Sequence, residues 1–403
     1  MARRDYLIRK VGFALLTLTV IFVVNFLLFR ILPGDPAKLL VHDPRLSRQV
    51  QERIRHDFGL DKPTWFNTAG STVEVLSPSL DLLADPADGS EVVEQAVQGE
   101  QLDYIKQSDD GQWIHVVQPG IEGDPDSAST WGWVAADQVQ VRANLFDSQF
   151  FSYLRHLARG EMGISFSSRR DVGELLAERV WRTVILLIGG EVIAVILGSI
   201  LGLLAAWRRG TRLDAGLLTL GLVSWALPTF WLGLILLILA RGRLPLGGMV
   251  TAGLEHASRL EYWLDVGKHL VLPTLTLAIV YLGQYVLIMR SAVLEVFAED
   301  YILVAKAKGL TTFQIIKNHA LKNAALPMVT IVALTLGYTV GGAIQVETVF
   351  SWPGIGRLMY DAVKKRDYPV LQGAFLLLAA SVILANLLAD ILYSMLDPRV
   401  KPE

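Results

Sequence analysis

The sequence predicts an α-helical polytopic membrane protein that carries one small all-β piece, and three observations predict it. Six apolar runs, at 11–31, 183–206, 214–240, 270–290, 326–346 and 371–395, each reach the roughly 20 residues that a helix needs to cross the hydrocarbon core. Hydrophobic residues make up 52% of the 403, more than in an ordinary soluble domain. Residues 64–143 break both trends. They hold 14 acidic and 2 basic side chains, a net of −12 inside a chain whose formal net charge is only −2, so everything else carries +10. Cysteine is absent, which excludes disulfides, thiolate nucleophiles and cysteine-ligated metals.

The first run follows "MARRDYLIRK", a basic start like that of a signal peptide. Its 21 apolar residues lack a small-x-small cleavage pattern before "RILPGDP", so it is expected to be a retained span. In the second and fifth runs, "GSILG" (Gly198, Gly202) and "GYTVG" (Gly337, Gly341) place glycines four apart, where a neighbouring helix can approach closely. Pro228, Pro273 and Pro327 are expected to kink or start helices. Asn25 and Gln284 are expected to bond a neighbouring helix, whereas Glu191 is costlier to bury and stays open between a packing and a functional position. An even number of spans puts both termini on one side. The ends and short loops of that side hold 14 Lys and Arg, against 8 in the short loops opposite, which places the termini in the cytoplasm and residues 32–182 outside.

Motifs for chemistry are missing. No G-x-x-x-x-G-K-[ST] cradles a phosphate, and neither H-E-x-x-H nor G-x-S-x-G occurs. The seven histidines are scattered without metal-ligand spacing. The chain is therefore expected to hold no catalytic residue, metal or cofactor, and to have no nucleic-acid partner. If it transports, another subunit supplies the energy.

One cytosolic segment interrupts the apolar text. "EDYILVAKAKGLTTFQIIKNHALKNAALP" keeps Ile, Leu, Val and Phe at helical spacing, yet carries Lys306, Lys308, Lys317, Lys322 and His319. Its residues alone fit a partner-docking loop or an amphipathic helix on anionic lipid equally well. The segment resembles the cytoplasmic loop signature of ATP-binding-cassette importer permeases, in the variant of the dipeptide/oligopeptide/nickel type. "RILPGDPAKLL", "FGLDKP", "SWALPTFWLGLILL", "HLVLPTLTLA", "GYTVGGAIQVETVFSWPGIGRLMYDAVKKRDYPVLQG" and "LDPRV" extend the resemblance over nearly everything except about 64–146. The match is not complete: Leu303-Val304-Ala305 stands where the general form has E-A-A, and the proline is deferred to Pro327. Arg290 agrees with a family arginine, while another usually found three residues earlier is Leu287 here.

The resemblance implies a fold with six transmembrane helices of the importer-permease type and a coupling loop at about 294–325. Two short helices flanking Gly309 would dock on a cytoplasmic ATPase. The residues implicated are Asp300, Tyr301, Ala305, Lys306, Ala307, Lys308, Gly309, Leu310, His319 and Leu321. It also implies a second, homologous permease subunit, two ATP-binding subunits that hold ATP and Mg, an extracytoplasmic solute-binding protein, and a place in the bacterial cytoplasmic membrane. The cargo would be peptides, nickel or other small solutes. After the fifth span, Glu347, Phe350, Trp352, Pro353 and Gly354 precede a short amphipathic helix. They read as an outer gate or binding-protein contact, or else as an interfacial cap.

The family passes quickly from "GLDKP" to "QFFSYLRHL", but here these elements are separated by residues 64–146. Short alternating runs with turns at "DPADGS" and "SDDG" predict about five strands, between a segment 1–63 and a core 147–403. The "LLADPADGSEVV", "GQWIHV" and "GWVAADQVQV" elements resemble a bacterial Src-homology-3-like domain. Trp113, Trp131 and Trp133 would lie in its core or line a peptide groove. A different reading of the whole chain, a membrane-anchored cell-wall or ligand sensor built around this domain, would need no ATPase.

Overall fold

The computed structural model describes residues 2–31, 61–118 and 130–396. The chain divides into two compact units, one formed by Met1–Leu32 with Met162–Glu403 and the other by Pro33–Glu161.

The first unit is helical. Helix α1 covers Ala2–Ile31. After the short helix α2, Gln149–Ala158, which belongs to the other unit, come α3 (Val172–Trp207), α4 (Arg212–Ala226), α5 (Thr229–Ala240) and α6 (Arg259–Phe297). The chain continues through α7 (Asp300–Ala307), α8 (Thr312–Ile315), α9 (Leu321–Val349), α10 (Ile355–Lys365) and α11 (Tyr368–Leu396). Among the described residues four helices are long and apolar enough to cross a membrane: Ile8–Phe29, Val172–Trp207, Arg259–Phe297 and Tyr368–Leu388. The run 214–240, expected as one span, is instead the pair α4 and α5, bent by 102°. Leu227 adopts an extended conformation before Pro228, as the proline ring requires of its predecessor, and the chain restarts as α5 with Pro228 at its N-cap. Pro273, by contrast, is absorbed inside α6.

A seam of small residues joins α3 to α6. Gly190, Ala194, Gly198 and Gly202 recur every fourth residue and are buried. A Cβ added at Gly198 would lie 2.5 Å from Tyr285 Cβ, and one at Gly202 would lie 2.6 Å from the Val286 carbonyl, so only glycine permits this approach. Gly337 and Gly341 lie in α9 at positions whose surroundings fall outside the described residues. Helices α1 and α11 run antiparallel. Asn25 Nδ2 donates to the Gln372 carbonyl (3.0 Å), as expected of an intramembrane amide, Phe29 packs on Tyr368 and Phe375, and Lys10 pairs with Asp390 (2.9 Å). Gln284 is half-buried, and no side-chain hydrogen bond joins it to another of the described residues.

The second unit contains an antiparallel sheet of seven strands in the order β3-β2-β6-β5-β4-β1-β7. Its strands are β1 (Thr72–Val75), β2 (Ser79–Leu83), β3 (Val92–Val97), β4 (Gln101–Gln107), β5 (Trp113–Gln118), β6 (Thr130–Ala135) and β7 (Val139–Arg142). Seven strands replace the five or so expected, because β1 and β7, which pair at one end of the sheet, are four residues each and too short to show a period in the sequence. Alternate residues Val73, Val75, Leu80, Leu82, Leu102, Ile114, Val116 and Val134 form its core. The tryptophans are outside that core. Trp113, Trp131 and Trp133 are half-buried, and Trp133 stacks on His115 with ring centroids 4.6 Å apart and planes at 21°. Lys106 Nζ lies 5.7 Å from the Trp133 ring centroid.

Candidate functional site

The segment from α7 to the start of α9 is built inside out. Glu299 is the N-cap of α7, and Ile302 and Ala305 on one side of that helix are buried with Ile315, Ala320 and Val296. Other apolar side chains of the segment are left uncovered. Leu303 is 69% exposed, Val304 54%, Phe313 59% and Leu321 41%. Asp300, Lys306, Ala307 and Lys308 are exposed, Tyr301 is partly so, and Leu310 is half-buried.

The turn between α7 and α8 is made by Gly309 at φ +79°, a conformation that residues with a Cβ rarely adopt. Thr311 and Gln314 then form a capping box, with the Thr311 hydroxyl accepting from the Gln314 N–H and the Gln314 side chain accepting from the Thr311 N–H. The second short helix is only the four residues of α8. A π-turn over Ile316–Ala320 carries it directly into α9, so the segment is one free helix, a glycine turn and a rigid continuation of a long helix. Asn323 Nδ2 donates to the Tyr301 hydroxyl (2.7 Å), which ties α7 to α9. The His319 side chain lies outside the described residues.

Arg290 near the end of α6 has a partner that its own neighbourhood does not reveal. Its Nε and Nη2 donate to Asp214 Oδ1 (2.7 Å) and Oδ2 (2.9 Å), a bidentate pair between α6 and α4. The buried Asp214 also accepts from the Gly210 N–H (2.9 Å). Within the bundle, the Tyr285 hydroxyl donates to Glu191 Oε1, while Glu191 Oε2 is buried without a hydrogen-bond partner among the described residues.

The segment after α9 is built the other way. Glu347 and Trp352 are fully buried and Phe350 nearly so, with Gly354 buried and Pro353 half-buried beside them. The Thr183 hydroxyl donates to Glu347 Oε1 (2.6 Å), and the Arg357 N–H donates to Oε2 (3.0 Å). Thr183 Oγ1 in turn accepts from the Ile355 N–H (2.9 Å), and the Trp352 indole donates to the Arg182 carbonyl (2.9 Å). A Cβ on Gly354 would collide with the Glu347 carboxylate. The carboxylate thus satisfies the N-terminal N–H groups of α10 and pins that helix to α3. Thr183 and Asp214 escaped the sequence reading. Neither sits in a recognisable motif, and each finds its partner far along the chain.

The inner-membrane-component family of binding-protein-dependent transport systems matches residues 198–402, and its N-terminal companion matches 3–75. A putative peptide permease protein of Brucella suis biovar 1 is 37% identical over 300 residues, covering 72% of this chain and 92% of that protein. The chain belongs to this family. As an inner membrane component it is a multi-pass permease, and its relatives include the dipeptide transport system permease protein DppB of Escherichia coli (strain K12). That protein is 29% identical over 416 residues, 98% of each chain. The glutathione transport system permease protein GsiC of Salmonella choleraesuis is likewise 29% identical, over 98% of this chain and 99% of its own. A solved chain of the MetNI methionine ABC transporter in inward-facing conformations superimposes with a TM-score of 0.46 at 19% identity, over 55% of this chain and 96% of that one. The permease is longer than its Brucella relative, and neither family profile covers 76–197, where β2 to β7 lie.

Proposed function

We propose that this permease is one of two related membrane subunits of an importer for peptides or comparably small solutes, driven by two ATP-binding subunits and supplied by an extracytoplasmic binding protein. The names of its relatives support the cargo class. Six spans would comprise α1, α3, the α4–α5 pair, α6, α9 and α11, with both termini cytoplasmic. The permease itself has no catalytic role; ATP and Mg are held by the partner subunits.

One observation carries the coupling role: the exposed apolar side chains of Leu303 and Val304 on α7, whose other face is locked to the bundle, followed by exposed Phe313 on α8. A solvated loop would bury these side chains or replace them with polar ones. A cleft on the ATPase gives them something to pack against, with Lys306 and Lys308 left at the rim. Closure of the ATPase pair would then move α7 and, through the unbroken α8–π-turn–α9 connection, the fifth span.

The sheet of the second unit would be an external, Src-homology-3-like insertion. Its acidic charge suits a solvated module beside anionic lipid, and the half-buried Trp131 and Trp133, both packed on His115, give it an aromatic patch outside its core cluster.

Gly309→Val tests the coupling assignment. A β-branched residue is strained at positive φ, so α7 would be misplaced without any change to the spans. In reconstituted complexes the variant should insert and assemble, but lose most uptake while ATP hydrolysis continues. Unchanged uptake would remove the docking role.

A further inference from the structure

Where α3 and α11 leave their apolar runs, the chain builds a cavity of about 130 Å³. That is room for several waters or one small polar group. Arg179, Asp361, Lys365 and Ser168 line it together with the apolar Leu358 and Val370.

Among the described residues the charges of this cavity are not joined by direct contacts. Arg179 Nε is buried with no hydrogen-bond partner there, and Asp361 and Lys365 make no ion pair among those residues. Asp367, the other carboxylate of the lining, is fully occupied. It accepts from Ser165 Oγ (2.6 Å) and from the N–H groups of Phe166 (3.0 Å) and Ser167 (3.0 Å). Those bonds hold the loop before α3 against the turn before α11. The cavity is bracketed by strained backbone as well: among the described residues, Arg169 and Arg366 are two of the three non-glycine residues with positive φ, at 57° and 55°. Such strain persists only where the surroundings over-determine it, and it gathers at binding sites.

The position is equally specific. At 36 residues, α3 is about 54 Å long at 1.5 Å per residue, against a hydrocarbon core of about 30 Å. Its charge-poor stretch begins at Thr183, so Arg179 stands one turn beyond it, at headgroup depth. An anion alone would leave Asp361 facing it, and a cation alone would face Arg179 and Lys365. A ligand with both charges and an apolar tail suits all the walls.

We propose that this cavity binds the zwitterionic headgroup of a phospholipid, with the phosphate against Arg179 and Lys365 and the ammonium against Asp361. The glycerol end would then rest on Leu358 and Val370. The assignment holds whichever leaflet the cavity faces, so it is independent of the proposed topology.

The test is native mass spectrometry of the full-length chain, loaded with phosphatidylethanolamine or phosphatidylglycerol and then stripped in detergent. The wild type should retain phosphatidylethanolamine about tenfold more than phosphatidylglycerol, as one charge-assisted contact allows. Asp361→Asn should erase that preference while keeping total retention, and Arg179→Met should reduce both lipids. A purely structural role for Asp361 could not alter headgroup choice. Equal retention of the two lipids by the wild type would overturn the site. Binding of soluble phosphoethanolamine without retention of the lipid would overturn the lipid assignment.

Discussion

The two ends of helix α9 solve opposite problems. Before it, the α7–α8 segment buries one apolar face and leaves another uncovered, so that Leu303 and Phe313 are exposed. After it, the turn into α10 buries a carboxylate and an indole and gives each a partner inside the chain. The second segment is complete in itself. On the proposed reading the first is a half-interface that another subunit would finish. The permease would then use both kinds of element, since a motion delivered at one end of a helix is useful only if the other end is firmly seated.

The largest effect should come from breaking the seated end. Glu347→Ala would leave the Thr183 hydroxyl and the Arg357 N–H without their acceptor in a buried site, at about 1–3 kcal/mol each. Thermal unfolding in detergent should fall sharply, or the protein should fail to accumulate. A Glu347→Ala variant as stable as wild type would show the cap to be incidental.

Next in size is the α3–α6 seam. Gly198→Val must displace Tyr285, and with it the bond to Glu191, so it should destabilise by about 1–3 kcal/mol from overpacking. Gly12→Val, where an added Cβ meets nothing within 4 Å, is the control and should be near neutral by the same unfolding assay.

These contrasts also show what the sequence can disclose. The apolar runs are legible because a bilayer imposes a length on them, and Gly309 because a turn of positive φ selects glycine. The half-interface is legible as an amphipathic segment, and its family likeness adds the partner. Asp214 is not legible, because nothing local distinguishes it from a helix-capping aspartate; only the approach of α6 to α4 brings Arg290 to it. The same holds for Thr183, which meets Glu347 from 164 residues away. The 102° break at Pro228 was foreseeable as a kink but not in size, since a proline removes one donor and leaves the angle to packing.

A smaller effect is expected from removing the sheet. Joining residue 63 to residue 147 through a short linker should leave a chain that assembles with its partner permease and still supports ATP hydrolysis, since family elements flank the excised stretch. Size-exclusion chromatography of the co-expressed complex checks this. Loss of assembly would make the sheet part of the bundle's architecture.

The smallest effect on the permease alone, and the largest on its complex, should come from charging the half-interface. Leu303→Asp with Phe313→Asp places two carboxylates on side chains already in solvent, so the isolated chain should unfold at the wild-type temperature. Docking would normally bury both side chains, at about 1.5–3 kcal/mol apiece, so the ATP-binding subunits should co-purify at least tenfold less. The decisive measurement is therefore the amount of ATP-binding subunit recovered with the double variant, read beside the unfolding temperature of that variant. Lost recovery at unchanged stability is the predicted result. Full recovery would contradict the claim that this face is completed by an ATPase.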